Sequence, residues 1–122
     1  MPDGLDDASR RAMFRGSLEL MVLSVLAGGP QHGYGIGRQL QQATGQTAGP
    51  GVLYPLLHRM AADGLIDDDP QTVRGRERRT WTLTDPGRRA LRARAAEWQA
   101  QVARMQGLVL PSLRQVTRHR PG

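Results

Sequence analysis

Between Gly49 and Ile66 the apolar residues recur at Leu53, Leu56, Leu57, Met60 and Ala61. Intervals of three and four predict an amphipathic helix with one face on a core. The opposite face carries Tyr54, His58, Arg59 and Ala62, and Gly64 is placed to stop the helix. Upstream, the segment Leu18 to Ala27 is apolar nearly all round, which predicts a buried central helix. Ser17 is its expected N-cap, and Gly28-Gly29-Pro30 its expected end. A helix from Gly33 to Ala43 has an inner stripe of Ile36, Leu40 and Ala43. Its glycines Gly33, Gly35 and Gly37 each cost ~1 kcal/mol relative to alanine, which makes sense where the helix packs closely on another. A short helix is expected over Ala8 to Arg15.

Downstream, Leu65-Ile66 and Thr80 to Leu83 read as two strands, with Trp81 and Leu83 on the core face. Between them lie the acidic run Asp67 to Asp69, a break at Pro70 and a basic tip, RGRERR, at 74–79. Thr84-Asp85-Pro86-Gly87 is a helix start. The helix it opens is expected to reach Leu110, with apolar positions at Leu91, Ala95, Trp98, Val102, Met105 and Val109. Steps of four and three are the seam of a coiled coil. That seam predicts a dimer, the helix packing on its copy or on the partner's first helix; the alternative is a lid over the chain's own core. Pro111 is expected to break or bend the helix. The pattern is that of a mainly α fold with a small two-stranded antiparallel hairpin (α+β), a winged helix-turn-helix with a long C-terminal dimerisation helix. Its expected parts are an N-terminal arm or short helix (1–15), the winged domain (16–84), the dimerisation helix (85–110) and a short helical or disordered tail (111–122).

Charge narrows the function. The 122 residues carry a formal charge of +6, and all 17 basic residues are arginine. Arginine's planar fork suits phosphate and guanine edges, although a GC-rich genome yields the same bias. A basic balance favours an acidic partner, and a helix face with a phenol, an imidazole and a guanidinium fits a DNA groove. With no cysteine, disulfides, thiolate zinc sites and a cysteine nucleophile are excluded. His32, His58 and His119 are scattered without metal spacing, and no nucleophile arrangement stands out. No metal, cofactor or catalytic residue is therefore expected. The acidic start MPDGLDD is unlike a signal peptide, and the apolar runs are too short to span a bilayer. The expected location is the cytoplasm.

Several motifs in this order resemble one family, over roughly Gly16 to Trp98. The segment from Ser17 to Gly45 looks like the first two helices of the PadR-type transcriptional regulators, including their His-Gly-Tyr start to the second helix (His32, Gly33, Tyr34). Leu53-Tyr54-Pro55 is similar to the family's recognition helix, and Gly75 to Leu91 resembles its Gly-Arg-x-Arg wing, second strand and Leu-Thr-x-x-Gly opening of the last helix. The resemblance implies a homodimeric repressor on a palindromic operator, with a recognition helix in each major groove and wings on the backbone or minor groove. It implies a phosphate contact from Tyr54 and wing contacts from Arg76, Arg78 and Arg79; Tyr34, Val52, Pro55, His58, Arg59 and Arg74 complete the residues expected at DNA. Val52 stands where many members have threonine, leaving apolar contacts only. In drug-responsive members a tryptophan on the last helix stacks on flat aromatic ligands, and Trp98 matches its spacing; a plain interface anchor is the other reading. Alternatives for the whole chain are a ligand-sensing or protein-binding winged-helix module without strong DNA specificity, or an RNA binder.

Overall fold

In the computed structural model the described residues are 6–73 and 76–118, with the backbone alone described at 70–73 and 76–78. The chain divides into two units, Met1–Leu91 and Arg92–Gly122.

The first unit opens with α1, Asp7–Gly16, capped by Asp6, whose carboxylate accepts from the Ser9 N–H at 2.8 Å. That backbone hydrogen bond holds the Asp6 carboxyl below its ordinary value. Helix α2, Leu18–Ala27, buries Leu18, Val22, Leu23 and Leu26 and is the centre of the core. The expected Ser17 cap is corrected: its side chain makes no cap bond, because the residue sits directly between two helices with φ −109° and ψ 4°, not in the extended cap conformation. After Gly29, at φ 136°, comes a strand that the hydropathy pattern does not reveal, β1 at Gln31–His32. Helix α3, Gly33–Thr44, follows at once. His32 caps it, its Nδ1 accepting from the Gly35 N–H at 3.1 Å, and Gly45 ends it at φ 73°. Helix α4, Pro50–Ala62, buries Leu53, Leu56, Leu57 and Met60, the stripe that its spacing predicts.

The hairpin is larger than expected. Strands β2, Ile66–Val73, and β3, Arg76–Leu83, pair antiparallel from Ile66↔Leu83 to Val73↔Arg76. Pro70 does not break the strand, because β2 is an edge in the order β1-β3-β2 and an edge strand tolerates a missing N–H. β1 pairs with β3 through Gln31↔Trp81, so the two-stranded hairpin becomes a three-stranded sheet. Trp81, in the middle strand, is wholly buried beside α2 and α4 residues; its Nε1 finds no partner among the described residues. Thr84 joins hairpin to helix: its hydroxyl donates to the Gly64 carbonyl at 2.7 Å and accepts from the Gly87 N–H at 3.0 Å.

Helix α5 spans Asp85–Arg118. Pro111 lies inside it, so the expected break there is corrected: the helix continues past Leu110. The proline deletes one hydrogen bond, to the carbonyl of Gly107, four residues back, where no side chain adds crowding. In the second unit Met105, Val109, Leu113 and Val116 of α5 are exposed. No described helix is long and apolar enough to cross a membrane.

Candidate nucleic-acid interface

Helices α3 and α4 are joined by residues 45–49 as a helix-turn-helix. The burial of Leu53, Leu57 and Met60 fixes the rotation of α4 and turns Tyr54 and His58 outward. Tyr54 leans over the start of α3: a Cβ added at Gly33 would lie 2.8 Å from its ring Cε1 and 3.0 Å from its hydroxyl. Only glycine allows that approach. Gly35 and Gly37 have other reasons. A side chain at Gly35 would strike Gln31, and one at Gly37 would make ordinary contact with Leu53 at 3.8 Å, so the expected close helix packing holds for Gly33 alone.

Tyr34 stands 70% exposed one residue after Gly33. Its ring stacks on His32 at 6.3 Å, and the Arg38 guanidinium lies 6.0 Å from its centroid, a cation over an aromatic face. Tyr34, Arg38 and Tyr54 line a groove of about 330 Å³ floored by Gly33, Gly37 and Leu53. Its rim offers two phenol hydroxyls and a guanidinium. All three can donate to phosphate oxygens. Arg38 is absent from the residues expected on sequence, though its position four residues after Tyr34 on one helix face was the available signal.

The other expected contacts are divided. Val52, Pro55 and Arg59 line a second cleft, of about 500 Å³, on the other flank of α4, together with Arg15 and Glu19. Val52 is half-buried and packs on the core. Arg59 is tied to Glu19, with Nη2 to Oε2 at 3.2 Å. His58 meets Trp81 edge-to-face, ring centroids 5.7 Å apart. In the wing, Arg79 pairs with Asp68 at 3.2 Å, so the acidic run holds one of the basic residues that follow it. Arg74 and the side chains of Arg76 and Arg78 lie outside the described residues. Along α5, Leu91 packs against the core of the first unit. Ala95 and Val102 are half-buried, whereas Trp98, Met105 and Val109 are exposed, Trp98 at 54%. Among the described residues no cluster of three or more histidines and carboxylates is placed to hold a metal.

A helix-turn-helix followed by a β-hairpin wing, with arginines and tyrosines on its outer edge, defines a winged-helix DNA-binding protein. The match to known sequences is more specific: the chain belongs to the transcriptional regulator PadR-like family, whose family model matches residues 22–93. It is therefore a DNA-binding transcriptional regulator. It is 38% identical over 81 residues to a transcriptional regulator of Mycobacterium tuberculosis, covering 66% of this chain and 75% of that one. It is also 38% identical over 94 residues to an uncharacterised 37.1 kDa protein in a Streptomyces fradiae transposon, covering 77% of this chain but only 25% of that protein's length. Among solved structures, a PadR family transcriptional regulator from Eggerthella lenta superposes with a TM-score of 0.75 at 29% identity, covering 84% of this chain and 90% of that one.

Proposed function

We propose that the protein is a homodimeric repressor that binds a roughly palindromic operator in the cytoplasm. Each α4 enters a major groove, and each β2–β3 hairpin lays its basic tip on the backbone or the adjacent minor groove. The observation that carries this reading is the outer edge of α3 and α4, where Tyr34, Arg38 and Tyr54 surround one solvent-open groove. Hydroxyl and guanidinium donors on that edge suit phosphates, which position the protein. The outer residues of α4, with His58 central and Val52, Pro55 and Arg59 toward α2, suit base edges, which specify it. The wing arginines Arg74, Arg76, Arg78 and Arg79 add charge-dependent affinity without sequence preference.

Dimerisation rests on the α5 stripe. Ala95, Trp98, Val102, Met105 and Val109 recur at steps of three and four, and a stripe at that spacing with Trp98, Met105 and Val109 exposed calls for a partner helix. A second copy supplies one, and a symmetric dimer reads two half-sites. A second reading has its own support. Trp98 is 54% exposed on that stripe, and an indole at a dimer seam can stack on a flat aromatic effector. An effector that prefers one dimer geometry shifts the population away from the one that fits DNA.

The test is binding of the full chain to labelled duplexes, with mass measured by sedimentation. A dimer that prefers duplex DNA of defined sequence over RNA of equal length supports the reading. A monomer, or equal binding to every polyanion, refutes it. Quenching of Trp98 fluorescence by flat aromatic cations, in a chain with Trp81 replaced by phenylalanine, tests the effector.

A further inference from the structure

We infer that Glu19 is a positioning residue that holds Arg59 ready to read a guanine. This deepens the reading of α4 as the helix that enters the major groove, and it rests on that reading.

Arg59 sits in the last turn of α4, and Glu19 in the first turn of α2, forty residues earlier. Their ion pair at 3.2 Å crosses between helices; it is not one of the i,i+3 pairs seen within α1 and α5. Its members are unequal. Glu19 is 30% exposed, whereas Arg59 is 62% exposed. An ion pair with this much exposure adds little to fold stability, so its consequence lies in what it does to Arg59. A free arginine on a helix surface samples many rotamers, and a carboxylate at one nitrogen removes most of them.

Donor geometry decides whether the held arginine can still read a base. A guanidinium offers five N–H groups in a plane, and bidentate recognition of the guanine O6 and N7 needs two on one edge. Glu19 engages Nη2. One hydrogen of Nη2 shares an edge with Nε–H, and the other shares an edge with Nη1. Whichever is occupied, one complete two-donor edge remains. Arg59 and Glu19 both line the cleft of about 500 Å³ that Val52 and Pro55 wall.

The experiment is selection of bound duplexes from a random library by the full-length wild type, E19Q, E19A, R59A and the double variant. Preference at one base is a ratio within each protein, so it is insensitive to how much of the sample is folded. The wild type is expected to select a site containing a guanine in each half, preferred roughly 5- to 150-fold, and R59A is expected to lose that preference alone. E19A loses about 2- to 10-fold of the same preference, the entropy of one released side chain. E19Q falls between, because a neutral acceptor still reaches Nη2. The double variant matches R59A, and binding of E19A to scrambled DNA is unchanged or tighter. If E19A keeps the full guanine preference and merely binds all DNA more tightly, Glu19 is a charge mask and the proposal is overturned. If R59A alters no single position, the positioning role also falls, while the α4 reading stands. If the wild type selects no sequence, both fall.

Discussion

Gly33→Ala separates the candidate interface from the fold. The new Cβ would stand 2.8 Å from Tyr54 Cε1, 3.0 Å from its hydroxyl and 3.1 Å from Cζ. Carbon atoms sit comfortably at about 3.5–4.0 Å, so the ring has to move by roughly 0.7 Å or more. It can do so cheaply. The three nearest atoms struck are the far end of a side chain that is 43% exposed, and none of them is backbone. Gly33 is the first residue of α3, so little helix propensity is gained or lost. Stability should therefore change by less than about 1 kcal/mol. DNA binding should not be spared. A phenol moved by that distance no longer meets a phosphate oxygen within the hydrogen-bond range of 2.5–3.0 Å. Losing one hydrogen bond to a charged acceptor, partly recovered by water, costs about 1–2 kcal/mol, or roughly 5- to 30-fold in Kd. Fluorescence anisotropy with an operator duplex, beside a thermal melt, reads both quantities. Tyr54→Phe should show a similar loss without moving the ring. A Gly33→Ala protein that melts and binds as wild type would refute the placement of Tyr54 on DNA. One that loses several kcal/mol of stability would show that the close approach serves the fold.

Gly87→Ala should cost about 3 kcal/mol in chemical denaturation, because its Cβ would collide with the Leu65 carbonyl, which is backbone, and lie 2.8 Å from Leu83 Cδ1. Trp81→Phe should cost less than about 1.5 kcal/mol, far below a truncation to alanine, since it removes a buried N–H without a described partner along with part of the ring. Arg76→Ala should weaken binding to all sequences and lower the salt slope by about one unit; an unchanged slope would refute the wing assignment. Val109→Glu, in the middle of the exposed α5 stripe, should shift sedimentation from dimer to monomer while leaving the first unit folded.

Elements whose own periodicity decides them were legible in the sequence. The stripe Leu53, Leu56, Leu57, Met60 is the buried face of α4. The all-apolar α2 is the core helix, Trp81 is core, and Thr84 caps α5. What was illegible depends on partners distant in sequence. Gln31–His32 is too short and polar to read as a strand, and exists because β3 lies beside it. Pro70 reads as a break until β2 is known to be an edge. Pro111 reads as a stop, but one missing hydrogen bond is too little to end a helix of 34 residues. At the candidate interface, the outward face of α4 was legible, whereas the Glu19–Arg59 pair was not, because no local rule connects residues forty apart. Arg79 reads as a free basic group until the strand register brings Asp68 to it.

Sequence-specific binding of duplex DNA by this winged helix is checked by titrating the full chain against a duplex of its own upstream region and a scrambled duplex of equal length, at several salt concentrations. Both affinities should fall linearly with the logarithm of salt, and the upstream duplex should stay tighter by a factor on the order of a thousand at physiological salt. Equal affinities that collapse together as salt rises would contradict it, leaving only a basic surface that attracts polyanions.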